Sequence, residues 1–329
     1  MTESVPTRGS LRSRSAALVS LATLRQLSTV LPPEQAWALW VSRRIIAGVM
    51  DTFGPSLAGT HIEHIDVQHD GRRVVGEWVR APGVSTSRGA IYFVHGSGFA
   101  LCSPRTHRRL TSWLSRLTGL PVFTVDYRLA PRHRFPTAAD DVRAGWDWLT
   151  AQVPADRIAI AGDSAGGHLS VDLLLQTDVA TRGPAALVLF SPLIDLTLEL
   201  ARAREDLRRD PAIRAADAAR LVRLYTRGVD PAHPRLKLDV ADGPSLPPTL
   251  IQAGGAEFLL ADARHLAADI RTGGGRCTLQ VWPDQVHVFQ ALPRLAPEAT
   301  KAMAQAATFI GVALSDNNIE NLTGKAGCA

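Results

Sequence analysis

Residues 159–176 read AIAGDSAGGHLSVDLLLQ, with Gly162, Gly166 and Gly167 crowded around Ser164 between an apolar run of strand character and one of helical character. A strand-to-helix turn can use glycine for left-handed backbone and serine as a helix N-cap, with no chemistry attached. GDSAG also has the form G-x-S-x-G, a strained turn that presents the serine hydroxyl at a strand end while small residues let strand and helix approach. The helix that follows then turns free N–H groups and its positive dipole end toward any developing anion. A serine hydroxyl is a poor nucleophile at neutral pH, so a histidine elsewhere in the chain must take its proton.

Outward from this turn, short apolar runs alternate with segments of helical period. RRVVGEWV, AIYFV, PVFTVDY, RIAIA, AALVLF, PTLIQAG and CTLQVW have strand character. In HRRLTSWLSRLTG, Leu110, Trp113, Leu114 and Leu117 fall at i, i+3, i+4 and i+7, and Gly119 stops the helix. Val142, Gly145, Trp146 and Leu149 repeat that spacing, and LLADARHLAADIRTGG supplies a later crossover helix. The alternation predicts an α/β fold, a mostly parallel central sheet whose strands each return through a flanking helix.

Two regions break the alternation. The first sixty residues look helical and lack a strand, and residues 195–246 carry a helical face of Ala218, Leu221, Val222 and Tyr225. The predicted division is an N-terminal cap segment at 1–60, a core at 61–194 and 247–314, an inserted cap segment at 195–246, and a polar, glycine-bearing tail at 315–329 expected to be disordered.

A chain of 329 residues fits one open α/β sheet with insertions. No run approaches the roughly eighteen apolar residues of a membrane span. Basic residues before an apolar segment give the N-terminus a superficial likeness to a signal peptide, but Ser20, Thr23, Arg25 and Gln26 interrupt it and no small-residue cleavage site follows. A cytoplasmic location is the expectation. Cys102, Cys277 and Cys328 stand at no metal-ligand spacing, so neither a metal site nor a disulfide framework is expected. The net charge of +5 comes from arginines dispersed among acidic residues, a pattern of solvated surface with no nucleic-acid partner.

Upstream, the strand of IYFVHGSGFALCSP runs into His95, Gly96, Ser97, Gly98 and Phe99. A Gly-rich turn after a strand accounts for this in isolation. Paired with the elbow, it forms the other half of an oxyanion hole, whose backbone N–H groups must approach a tetrahedral oxygen closely. The candidate donors are the N–H groups of Ser97, Gly98 and Ala165.

HGSGF, DYRLAP and GDSAGG, in this order, resemble the hormone-sensitive lipase family of α/β-hydrolases, which includes bacterial esterases, acetyl-hydrolases and lactone-hydrolases. The likeness covers about residues 70–312. Ser97 departs from the family's usual H-G-G-G, Arg132 stands where many relatives carry Glu, and Cys102 occupies a position where a small residue is common. Core packing is the expected role of Cys102, with a reactive thiol the alternative.

The resemblance implies a Ser, acid, His order along the chain. His287, in WPDQVHVFQ after the last strand, matches the family's histidine. Glu257 and Asp262 are both available as the acid. Glu257 comes directly after PTLIQAGG, where relatives carry Asp or Glu, whereas Asp262 lies a turn further on, where a solvated carboxylate is the default. Asp163 and His168 are expected to be structural, Asp284 a turn residue, and Asp126, Tyr127 and Arg128 a brace beneath the oxyanion loop. The implied function is a serine carboxylesterase acting on short- to medium-chain esters or lactones, with Ser164, Glu257 and His287 catalytic and no cofactor. Amide deacetylation on the same triad, or a non-catalytic small-molecule receptor, are the alternatives. The family leaves a homodimer open.

Overall fold

Eight strands form one sheet in the order β1-β2-β4-β3-β5-β6-β7-β8: β1 His61–His69, β2 Arg72–Arg80, β3 Ala90–Val94, β4 Val122–Val125, β5 Ile158–Asp163, β6 Ala186–Phe190, β7 Thr249–Gly254 and β8 Cys277–Trp282. The computed structural model describes residues 5–85, 89–181 and 183–326, so Cys328 lies outside the described residues. From β4 to β8 every pairing is parallel. β1 and β2 instead form an antiparallel hairpin, and β2 runs antiparallel to β4. The expectation that each strand returns through a helix therefore fails at this edge. β1 escaped the sequence reading because an edge strand with one solvated face interleaves Ile62, Ile65 and Val67 with His, Glu, Asp and Gln, leaving no apolar run.

The helices are α1 Leu11–Ala22, α2 Leu24–Val30, α3 Ala36–Phe53, α4 Pro104–Thr118, α5 Thr137–Thr150, α6 Ala165–Leu174, α7 Thr177–Ala180, α8 Glu199–Leu207, α9 Ala215–Thr226, α10 Leu260–Thr272 and α11 Glu298–Ala326. Strand residues alternate between two apolar layers, as the two-residue side-chain period requires. Ile91, Phe93, Ala159 and Val188 pack with Leu110 and Leu114 of α4 and Met303 and Ile310 of α11. Tyr92, Val94, Ile160 and Leu189 face the other way, onto Val142 and Trp146 of α5, Leu169 of α6 and Leu266 of α10. α11 runs on as helix to Ala326 where the composition suggested disorder, because propagating a helix already nucleated by buried Ala302, Ala306 and Ile310 costs little.

α1–α3 and α8–α9 lie over the carboxyl ends of the strands and are tied together there. Arg25 of α2 is buried, donates to the carbonyls of Asp210 (2.8 Å) and Ile213 (2.9 Å), and pairs with Glu205 of α8. Ser28 donates to Asp217 (2.7 Å) and Arg220 pairs with Glu34 (2.6 Å). Arg43 of α3 reaches the Ala100 carbonyl in the loop after β3. Among the described residues, no helix is long and apolar enough to cross a membrane.

Candidate active site

Ser164 sits between β5 and α6 with φ 51° and ψ −122°, a strained conformation for a residue with a Cβ. Its N–H donates to the Phe190 carbonyl (3.0 Å), and its own carbonyl accepts from Gly167 (2.9 Å) and Leu193 (3.0 Å), so the end of β6, the chain just after it and the first turn of α6 hold the turn. Gly166 is required here by contact: a Cβ would lie 2.0 Å from the Val94 carbonyl oxygen of β3. Gly96 is likewise excluded from carrying a side chain, which would meet Asp163 Oδ2 at 2.4 Å and Ser164 Cβ at 2.8 Å. The oxyanion loop and the elbow thus touch backbone to backbone.

Ser97, Gly98 and Phe99 form a left-handed run with φ of 88°, 58° and 62°. Ser97 and Gly98 line the same cavity as Ser164 and His287. Ala165 is buried behind Ser164, and as the first residue of α6 its N–H has no preceding helical carbonyl to bond. The three candidate donors and the hydroxyl therefore belong to two abutting turns.

His287 follows β8 on a loop that brings its ring back over the sheet. Its Nδ1 lies 3.4 Å from Glu257 Oε2, an ion contact longer than a formed hydrogen bond. In enzymes whose histidine base is oriented by a carboxylate, such a contact is often loose before substrate binds and tightens afterwards. Glu257 does not line the cavity; it is fully buried behind the imidazole. Burial pushes its carboxyl up, against the opposing pull of His287 and the Ser191 hydroxyl, and the carboxyl remains above its ordinary range. For His287 burial favours the neutral ring, but Glu257, with Asp210 and Asp163 further off, outweighs it and raises the pKa.

Two residues behind this pair had no signal in the sequence. Ser191, at the end of β6, donates to Glu257 Oε2 (2.7 Å) and accepts from the Val288 N–H (3.1 Å), so one hydroxyl connects the acid to the residue after His287. Asp210, from the inserted segment, accepts from Phe258 N at 2.8 Å and so fixes the backbone next to Glu257. Only the observation that both lie just past a strand or helix end could have singled them out.

Asp163 is structural, in a more specific way than its place in the turn suggested. Its Oδ1 accepts from Gly96 N (3.0 Å) and lies 3.2 Å from Nε2 of buried His107 on α4. Burial raises the Asp163 pKa, but His107, His95 and His287 more than reverse it and the carboxyl titrates below its ordinary range. Burial lowers that of His107, and Asp163 more than restores it. His95 is pushed down to about 3, by burial and then by the charge on His107. A neutral His95 ring stacked 4.2 Å from Tyr127 and the His107 ring on Asp163 thus flank the oxyanion loop.

Of the expected brace, Tyr127 reaches the loop, its hydroxyl donating to the His95 carbonyl at 2.7 Å. Arg128 turns instead to Asp141, and Asp126 N bonds to Val75 O of β2. Asp262 is buried and not solvated: its Oδ1 accepts from Ile194 and Asp195 N–H groups, and burial pushes its carboxyl up to about 7. His168 faces the Arg235 carbonyl at 3.0 Å, and Asp284 turns the chain at φ 59° while accepting from Gly9 N. Burial pushes the Cys102 thiol up to about 11, a packing residue and not a thiolate. Arg132 is exposed.

The cavity at Ser164 measures about 370 Å³, at the small end for ligand sites. Its walls are largely aliphatic: Leu24 of α2 and Leu31 just after it, Leu39 and Ile46 of α3, Leu221 of α9, and Leu292.

A family model described as alpha/beta hydrolase fold matches residues 91–291, the span that carries both turns and His287. The chain belongs to this family. Within it, the protein is 37% identical over 257 residues to the carboxylesterase/phospholipase LipF of Mycobacterium tuberculosis, covering 73% of this chain and 67% of that one. It is also 37% identical over 242 residues to an acetyl-hydrolase of Streptomyces hygroscopicus, covering 73% and 80%. A crystal structure of an esterase from the bacterial hormone-sensitive lipase family superposes with a TM-score of 0.80 at 30% identity, over 93% of this chain and 99% of that one. This α/β-hydrolase is thus a member of the hormone-sensitive lipase branch, as the three motifs implied.

Proposed function

We propose that this hydrolase cleaves carboxylic esters through an acyl-enzyme formed on Ser164, with His287 as base and acid and Glu257 as its orienting carboxylate. Ester hydrolysis is the activity for which its carboxylesterase and acetyl-hydrolase relatives are named. The residue roles rest on one observation above the others: two segments more than a hundred residues apart in sequence place Ser164 and His287 on one cavity, with buried Glu257 3.4 Å behind the ring.

The hydroxyl attacks the ester carbonyl as His287 takes its proton, and the negative oxygen that forms is held by the N–H groups of Ser97, Gly98 and Ala165. His287 then protonates the departing alkoxide, and water repeats the cycle to release the acid. Losing one oxyanion donor typically costs about a hundred- to a thousandfold in rate. The imidazolium of each step is stabilised by Glu257, which itself keeps its charge.

Residues 1–60 and 195–246 act as the cap and close the aliphatic cavity over the acyl group, which favours short- and medium-chain esters. The test is hydrolysis of p-nitrophenyl esters across acyl lengths by the purified chain and by Ser164→Ala. The wild type is expected to prefer short and medium chains and to take up a fluorophosphonate at Ser164. Retained turnover in Ser164→Ala would end the assignment, and a long-chain optimum would overturn the pocket estimate.

A further inference from the structure

The large apolar side chains left in solvent are not scattered. Among the described residues ten are exposed, and eight of these belong to α1, α2, α3 and the end of α8, the segments that roof the cavity. Leu207, Leu11 and Leu18 are 85, 78 and 68% exposed, and Trp37 and Trp40 are more than half exposed. Two of these helices are apolar on both sides. Ala16 of α1 and Ile46 and Val49 of α3 face the cavity, while Leu18 and Val19, and Trp37 and Trp40, face outward. Exposed apolar side chains concentrated on the helices that roof a cavity mark an interaction site.

Its charge says what it fits. Residues 1–50 hold six arginines against two glutamates, four of the chain's five net positive charges. The Arg44 guanidinium lies 5.1 Å over the Trp40 ring. Beside Leu18 a surface groove is lined by Leu21, Arg25, Arg209 and Arg214. Arg214 Nε is buried there without a hydrogen-bond partner among the described residues, and Arg209 is exposed.

We propose that this outer face of the cap docks on an anionic lipid surface. The leucines and tryptophans enter the acyl boundary, and the exposed arginines, Arg8, Arg12, Arg44 and Arg209, meet lipid phosphates, whereas Arg25 stays buried against Glu205. Two such faces brought together would oppose their arginines, so charge favours an anionic partner over a second copy. Docking sets the cap, and the aliphatic cavity beneath it, against a reservoir of acyl esters. That delivery rests on the ester-hydrolase assignment; the docking itself does not.

The experiment is co-sedimentation of the full chain with vesicles of phosphatidylglycerol and phosphatidylcholine, or of phosphatidylcholine alone, at low and high salt. Binding is expected to be at least about tenfold stronger on the anionic vesicles and to weaken with salt. Ser164→Ala should bind like the wild type, which separates docking from chemistry. The triple variant Leu18→Ser, Trp37→Ser, Trp40→Ser should lose about tenfold or more in vesicle binding while still hydrolysing soluble p-nitrophenyl butyrate. Equal binding by that variant, or no binding to anionic vesicles, would overturn the proposal. So would a dimer in light scattering that the triple variant dissociates, because a second copy would then occupy the face.

Discussion

Replacing His107 by glutamine removes one half of the buried pair that joins the oxyanion loop to the elbow. Its Nε2 lies 3.2 Å from Asp163 Oδ1, the same oxygen that receives the Gly96 N–H at 3.0 Å. Asp163 raises the pKa of His107 and His107 depresses that of Asp163, so each favours the charged form of the other. Without the imidazolium, Asp163 keeps a buried charge with less compensation, and removing one member of such a pair costs about 3–5 kcal/mol. For a domain of this size that is a fall in Tm of roughly 5–10 °C. The sign with pH follows from linkage. The His107 contribution is complete below its unfolded pKa of 6.5 and fades as pH rises through its higher folded value. The Asp163 contribution is complete above 3.8 and fades as pH falls through its lower folded value. Urea unfolding of wild type and variant should therefore differ most between these limits, near pH 5–6, and converge in alkali as the wild type loses its own proton. A gap that stays the same at alkaline pH, or one below about 1 kcal/mol throughout, would mean that His107 contributes packing alone and that the ion pair does not brace the loop.

If His287 is the base, as proposed, the acidic limb of kcat/KM should have its midpoint above the ordinary histidine value of 6.5, because the ring must be neutral to take a proton and its pKa is raised; Glu257→Gln should move that midpoint down, and a pH-rate titration reads both. Ser191→Ala removes a hydroxyl bonded to a buried carboxylate and to the Val288 N–H, and should destabilise the fold by about 1.5–3 kcal/mol in urea melts. The same change should lower kcat more than it raises KM, since it disturbs the acid behind His287 and not the acyl cavity. Gly166→Ala places a Cβ 2.0 Å from the Val94 carbonyl, so β3 and α6 must separate; loss of more than about 3 kcal/mol, or no folded protein by circular dichroism, is expected.

The parallel core was legible because a buried strand must be an apolar run and a covering helix must show an apolar stripe, and both are properties of neighbouring residues. The antiparallel edge was not, since β1 has one solvated face and carries His64, Asp66 and Gln68 on it. Around Ser164 the local turns could be read for the same reason: Gly166 and Gly96 are demanded by backbones that approach too closely for a Cβ, and those demands appear as motifs. Asp262 is buried where a solvated carboxylate was the expectation, because helix spacing does not reveal that the loop after β6, at Ile194 and Asp195, folds back onto its carboxylate.

The sequence by itself determined the fold class and the contiguous pieces of the candidate site, because elbow, oxyanion loop and histidine loop each obey short-range steric rules. Only the tertiary structure decided what supports them: His107 beneath the oxyanion loop, Ser191 and Asp210 behind the acid, and the N-terminal helices pinned by Arg25 over the cavity. These are single polar residues whose partners lie dozens to nearly two hundred positions away. Their meaning comes from which buried atom needs a hydrogen bond or a charge after the chain has packed, and no local pattern records that need.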